Sequence, residues 1–291
     1  MHDMPAGDSR LRPRVQCPYG ELFIYYFQGC LKDAPTAMDA LIGNWEEDGC
    51  SFLFFSRPCP EQVEKILAAQ PQLSLLDTFQ IPYEQWQGDT CRPFRCGRFL
   101  ITPPWEAPPP AGAPDATVIP IVLDPGLVFG SGTHPTTRDC LAALDLACAA
   151  GGPETALDLG TGTGLLAIAA ARLGCRRALA VDINFLAVST ARRNIVYNGL
   201  NERVLAVRGR AEQFMEPPAD LLLANLHMDV LDTLIAAPAF GRQKKFILSG
   251  LLRSQAKQVQ TRLLQDGHRI LQTWSKEGTW FTFYGQTGGT A

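Results

Sequence analysis

From about residue 118 onward, short apolar runs alternate with amphipathic ones, the order expected of successive βα units that feed a parallel sheet. Thr155 to Asp158 ends a strand, Leu165 to Leu173 is a helix stopped by Gly174, and Ala178 to Asp182 is a second strand. Asn184 is placed to cap a helix that carries Ala187, Ala191 and Ile195 on one face and ends at Gly199. Strands recur at Val204 to Val207, Asp220 to Asn225 and Lys245 to Ser249, with helices over Met228 to Ala237 and Ser254 to Asp266. The last two strands, His268 to Trp274 and Thr279 to Tyr284, are separated only by residues 275–278. So short a connection makes a hairpin and predicts an antiparallel edge to the sheet.

Upstream the pattern changes. A β-prone run over Leu22 to Phe27 precedes an expected helix over Pro35 to Asn44, a strand over Ser51 to Ser56, a helix over Pro60 to Ala69 and an extended stretch over Ser74 to Ile81. These elements make a small α+β unit. Residues 83–117, with Pro103, Pro104, Trp105 and the prolines up to Pro114, read as a linker. The predicted organisation is therefore an N-terminal arm at 1–18, an α+β domain at 19–82, a Pro/Trp-rich linker at 83–117 and an α/β domain at 118–291. Two domains suit a chain of 291 residues.

Composition narrows the function classes. Hydrophobic residues at 46% and charged residues at 19% exclude wholesale disorder and coiled coil. A net charge of -3 argues against a phosphate backbone as the main partner, so direct nucleic-acid binding is not expected. No stretch reaches the ~20 apolar residues of a membrane span. Nine scattered cysteines contain no Cys-x-x-Cys pair, which points to reduced thiols in a cytoplasmic protein, with no metal site expected. Between Gly20 and Gln80 nine acids face three bases, densest at Glu46, Glu47 and Asp48. Scattered carboxylates ordinarily keep a surface soluble, but an acidic unit could also steer a basic partner. Failing that, the apolar face from Leu22 to Phe27 is the recognition candidate.

Candidate chemistry starts at Asp158-Leu159-Gly160-Thr161-Gly162-Thr163-Gly164, between a strand and a helix, where missing Cβ atoms let a ligand approach the backbone. Asp182 closes the next strand, where a carboxylate can hold two ribose hydroxyls. On these residues alone two cofactors remain open, because Gly162 to Ala167 also fits the dinucleotide phosphate fingerprint. A nicotinamide-dependent oxidoreductase is therefore one alternative, and a cofactor-binding module without catalysis is another.

Asp158 two residues before Gly160, together with the terminal hairpin, resembles class I methyltransferases that use S-adenosyl-L-methionine. A more specific string, Leu123-Asp-Pro-Gly-Leu-Val-Phe-Gly-Ser-Gly-Thr-His-Pro-Thr-Thr137, resembles the segment before the cofactor loop in PrmA-type methyltransferases, which modify a large-subunit ribosomal protein. The likeness continues through Asp182, Ala224-Asn-Leu226 and Leu248-Ser-Gly-Leu251, and more weakly upstream through Trp86 and Pro103-Pro-Trp105. It implies a Rossmann-like α/β sheet with a C-terminal hairpin, preceded by a ferredoxin-like α+β domain that recognises the substrate across a flexible linker. The implied activity is methylation of lysine or N-terminal amines on a basic ribosomal protein. Cofactor contacts carry over to Thr137, Gly160, Asp182 and Asn225, with Phe129, Thr136, Gly162 and Gly164 as neighbours, and Asn225 would also position the amine. Phe129 could instead be core, and Thr136 and Thr137 could cap a helix running to Ala149. His134 and His227 are candidates to accept a proton through water, each with a bland capping or surface alternative. Two departures from the family stand out: the segment from Gly20 to Gln80 is short, and His227 follows Leu226 where a small or apolar residue is usual.

Overall fold

The computed structural model describes residues 20–32, 38–47, 49–87, 92–106, 117–276 and 278–288. The expected arm at 1–18 and Asp48 lie outside these residues. The N-terminal unit comprises β1 (Glu21–Gln28), β2 (Leu41–Glu47), β3 (Cys50–Phe55), α1 (Pro60–Ala69) and β4 (Ser74–Pro82). Its strands lie in the order β2-β3-β1-β4 with every neighbour antiparallel, the ferredoxin-like order. That fold has two helices, and among the described residues the connection from β1 to β2 contains none.

The helix expected over Pro35 to Asn44 is thus a correction. Residues 35–37 lie outside the described chain, and Leu41 onward is strand, paired with β3 from Leu41 opposite Phe55 to Glu47 opposite Cys50. Gly43 and Asn44 are poor helix formers, and the cross-strand pairing with β3 decides the conformation. α1 begins with Pro60 at its first position and buries Val63 and Ile66 under the sheet. The Tyr25 hydroxyl accepts from the Cys59 N–H at 2.9 Å, which fixes the helix entry.

The strand β1 is buried on both sides. Tyr25 and Phe27 pack under α1, whereas Leu22 and Ile24 join Phe54, Tyr83, Leu127, Val128, Leu186 and Ala187 in a core shared with the rest of the chain. The apolar face from Leu22 to Phe27 is therefore interior and unavailable to a partner. At this junction Gly43 faces Leu186 so closely that a Cβ would lie 2.6 Å from its Cδ1. The Tyr83 hydroxyl donates to the carbonyl of Gly126 at 2.8 Å.

The stretch expected as linker carries structure of its own. It holds α2 (Tyr83–Gln87), β5 (Phe94–Cys96) and β6 (Phe99–Thr102), and β6 pairs in parallel with β7 (Ile119–Val122). Phe99, Ile101 and Ile121 are buried in the same core as the helices of the α/β domain, so apolar burial anchors both ends of the Pro-rich segment.

The α/β domain runs α3 (Pro135–Ala147), β8 (Thr155–Leu159), α4 (Leu165–Arg172), β9 (Arg177–Asp182), α5 (Phe185–Tyr197), β10 (Val204–Arg208), β11 (Leu221–Asn225), α6 (Met228–Ala236), β12 (Lys245–Leu252), α7 (Arg253–Gln265), β13 (Arg269–Lys276) and β14 (Trp280–Gln286). Its seven strands are ordered β10-β9-β8-β11-β12-β14-β13. Helices α3, α4 and α5 cover one face, and α6 and α7 the other. The expected hairpin is present, but its last strand is not the edge. Strand β14 inserts between β12 and β13, antiparallel to both. The reason is burial: β14 hides Phe283 and Tyr284 on opposite faces, whereas the polar β13 is mostly exposed and suits an edge.

Candidate active site

A pocket of about 610 Å³ opens at the C-terminal ends of β8, β9 and β11. This is where the strand order reverses between β8 and β11, the position at which open α/β sheets bind ligands. The glycine loop forms its floor. Gly160 and Gly162 have φ of 70° and 55°, and a Cβ on Gly162 would collide with the Phe129 carbonyl oxygen. Gly164 is different: at φ 84° it caps α4 and packs against Ala191, outside the pocket lining.

Two carboxylates hold the loop, Asp158 buried and Asp182 half-buried. Asp158 accepts from the Thr161 hydroxyl at 2.5 Å and the Ala167 N–H at 3.2 Å, while its Oδ1 has no partner. Burial pushes its pKa up to about 7. It braces the loop from behind and does not line the pocket. Asp182 does line it, with Oδ2 accepting from the Gly162 N–H at 3.0 Å and Oδ1 from the Asn184 N–H at 2.9 Å. Burial raises its pKa as well. The Ile183 N–H also bonds this carboxylate, and of the roughly four lone-pair sites a carboxylate offers, acceptor capacity remains for a ribose hydroxyl.

The loop amides decide between the two cofactor chemistries. Gly160 and Thr161 donate to the Val181 carbonyl, Gly162 to Asp182, Thr163 to the Phe129 carbonyl, Gly164 to the Thr161 carbonyl and Leu165 to the Thr163 hydroxyl. A pyrophosphate needs such N–H groups free and aimed at it. Every one from 160 to 165 is already engaged. A nucleoside whose diol meets Asp182 fits these residues, and a dinucleotide pyrophosphate does not.

Two asparagines, Asn194 in α5 and Asn198 at its C-cap, tie this loop to the preceding segment. The Asn194 side chain accepts from the Asp124 N–H at 2.7 Å and donates to the carbonyls of Asp124 and Thr163, each at 2.9 Å. Asn198 pairs with both backbone groups of Val122. This clamp sets the height of the 127–135 loop over the cofactor floor. Nothing in the sequence marks these asparagines as a clamp, because an Asn in a helix or at its end carries no local signal of a distant partner.

On the other wall, His134 is the N-cap of α3, its side chain accepting from the Thr136 N–H at 3.4 Å. Thr136 and Thr137 are therefore inside the first turn, not caps, and both line the pocket. Asn225 at the end of β11 donates from Nδ2 to the Thr137 hydroxyl at 3.4 Å. This leaves Oδ1 as an acceptor, and among the described residues nothing hydrogen-bonds to it. Phe129 lies in the lining, 49% exposed, and is not core. The His134 ring stands edge-on to both Phe129 and Trp280, at 5.3 and 5.1 Å. Burial lowers the His134 pKa, so the ring is neutral near pH 7. His227 also lines the pocket, at the N-cap of α6.

Trp45 and Glu46 of β2 complete the wall, so the N-terminal unit contributes to the same cavity. Neither these two nor Trp280 is legible in the sequence as a pocket residue, because only tertiary docking brings them there. Of the acidic patch, Glu46 alone can be placed.

A seven-stranded sheet with one inserted reversed strand, and a nucleoside-shaped site at its switch point, define the class I methyltransferase fold. Residues 63–287 match the family described as Ribosomal protein L11 methyltransferase (PrmA), and the chain belongs to that family. It is 41% identical over 208 residues to the Ribosomal protein L11 methyltransferase of Gloeobacter violaceus, covering 70% of this chain and 60% of that protein. It is 35% identical over 197 residues to the Desulforamulus reducens protein of the same name, covering 66% and 61%. The chain thus spans about three fifths of the length of these relatives. A crystal structure of ribosomal protein L11 methylase from Lactobacillus delbrueckii subsp. bulgaricus superposes with a TM-score of 0.59 at 27% identity, over 67% of this chain and 98% of that one.

Proposed function

We propose that the chain is an S-adenosyl-L-methionine-dependent protein N-methyltransferase that modifies amino groups of a large-subunit ribosomal protein, L11 being the substrate its relatives are named for. The observation that carries the reading is the pairing of Asp182, a carboxylate in the pocket lining, with a glycine loop whose amides are all engaged. Family membership supports it, and the nicotinamide alternative loses its phosphate cradle.

When bound, S-adenosyl-L-methionine supplies a methyl already activated by its sulfonium. The work left to the protein is to hold an unprotonated amine in line with the carbon-sulfur bond. An ordinary lysine amine has a pKa near ~10.4 and an α-amine near ~8. The apolar walls formed by Phe129, Trp45 and Trp280 lower that value by disfavouring the ammonium form. Asn225 Oδ1 then accepts an amine N–H and aims the lone pair, with Thr137 fixing the amide. His134, with Nδ1 turned toward Thr136, presents its other ring nitrogen as the N–H tautomer. That nitrogen donates and does not take up the amine's proton, which leaves water and the pocket-lining His227 as the route for proton loss.

Among the described residues no helix is long and apolar enough to cross a membrane, which is compatible with a cytoplasmic site of action. Calorimetry against S-adenosylhomocysteine and NAD, followed by transfer of labelled methyl to L11 from the same organism, tests the reading. Binding of the first ligand alone, with label in the protein, is the expected result. NAD binding without S-adenosylhomocysteine binding would overturn it.

A further inference from the structure

Beside the cofactor pocket a second cavity of about 640 Å³ lies between the 127–135 loop and the face of β2 and β3 turned away from α1. Trp45, Phe52 and Phe54 form one side, Trp86 of α2 closes the far end, and Phe129 stands at the near end. The two cavities share Trp45, Val128, Phe129, Gly130 and His134, so they adjoin across the 128–134 loop. The size of the second is within the ~300–1,000 Å³ of sites that enclose a ligand group.

The chemistry of the lining is uniform. No Asp, Glu, Lys or Arg among the described residues lines this second cavity, and Glu46 belongs only to the cofactor side. Its two hydroxyls, Ser131 and Thr133, pair with each other at 3.3 Å. Phe54 is buried and meets the Trp86 ring edge-on at 5.3 Å, while Trp86 itself is 42% exposed. Two large aromatic rings, Trp86 and Phe129, thus line an uncharged cavity beside the cofactor pocket.

We propose that this aromatic trough seats an extended, uncharged, apolar segment of the protein substrate that adjoins the acceptor amine. The inference rests on the methyltransferase reading of the neighbouring pocket. An amine on a protein brings its flanking residues with it, and the trough is the apolar surface adjoining the place the amine must reach. A basic flank would find no carboxylate along it. A free small amine would leave it empty. Aromatic rings framing a desolvated groove are the form that anchor sites take at protein interfaces.

The test uses the full chain, fluorescently labelled L11 for binding by anisotropy, and labelled methyl for turnover. Trp86→Gln should raise both the Kd and the KM for L11 by about tenfold or more, the scale of a truncated aromatic anchor. It should do so equally at about 0.05 and 0.5 M salt, because an apolar contact is not screened. kcat and the affinity for S-adenosylhomocysteine should stay at wild-type values, and Trp86→Phe should restore most of the L11 affinity. Unchanged Kd and KM in Trp86→Gln would overturn the proposal. So would loss of S-adenosylhomocysteine affinity in step with L11, which would make Trp86 only a support of the cofactor wall. A wild-type dimer that the variant converts to monomer would make a second copy the occupant, and deletion of residues 1–19 abolishing the effect of the substitution would assign the trough to the chain's own N-terminus. Wild-type turnover on L11 decides the parent reading, whereas the variant's Kd decides the trough even where turnover is absent.

Discussion

Replacing Asp158 by Asn removes a titrating group from behind the cofactor loop while keeping its shape. The carboxyl is 1% exposed, receives two hydrogen bonds on Oδ2, and leaves Oδ1 without a partner. Burial carries its pKa from 3.8 to about 7. At ~1.36 kcal/mol per unit, that rise corresponds to on the order of 4 kcal/mol of ionisation cost in the folded state. Because the folded-state value is raised, the folded protein binds more protons than the unfolded chain between about pH 4 and 7. This group's contribution is fully present below pH 4, declines as pH rises through that window, and is flat above it. The amide introduced by Asp158→Asn does not titrate, and its carbonyl can accept from Thr161 and Ala167. Urea denaturation of wild type and Asp158→Asn at intervals from pH 4.5 to 8 measures the difference. The stability gap should move in the variant's favour by up to ~1.4 kcal/mol per pH unit within the window and level off above it. A gap that moves in the wild type's favour as pH rises would show the carboxylate to be ionised and held by its donors, and would refute the reasoning.

Asp182→Ala should weaken S-adenosylhomocysteine binding by about 1.5 to 3 kcal/mol by calorimetry, the scale of hydrogen bonds to a charged group, with the far-ultraviolet dichroism unchanged. Asn225→Ala should lower kcat on the order of 100-fold while S-adenosylhomocysteine affinity changes much less, because misplacing the amine costs rate and not cofactor contact. Equal losses in both would reduce it to a cofactor contact. Gly43→Val places a side chain against Leu186 and should loosen the junction, seen as faster hydrogen exchange in β1 and β2 with protection in β8 and β11 retained. Uniform exchange in the variant and wild type would show the close approach to be unimportant.

Residues whose role is written locally are readable from sequence. Asp182 and Asn225 close strands at the C-terminal edge of the sheet, and Asn184 caps α5 as expected, accepting from the Leu186 N–H at 2.8 Å. α1 is marked by its proline and apolar spacing. The segment from Leu41 to Trp45 is not, because Met38, Leu41, Ile42 and Trp45 satisfy a helical spacing and only the distant partner β3 selects the strand. The insertion of β14 is equally hidden: a hairpin is a local fact, while the slot it occupies depends on which strand buries both faces. Trp45, Trp86 and Trp280 reach the cavities through contacts far apart in sequence, so periodicity and motif offer no sign of them.

Two-sided burial of β1 joins the N-terminal unit and the α/β domain into a single mechanical body. Swinging the unit away would expose Leu22, Ile24 and Phe54 together with Leu127, Val128 and Leu186, an apolar area that water disfavours. That junction, and not the Pro-rich segment between β6 and β7, then sets the place of Trp86 relative to the glycine loop. A substrate bearing several reactive amines must then present each one at the same spot by its own rearrangement, or by leaving and returning, so that modification at separate positions proceeds through separate encounters.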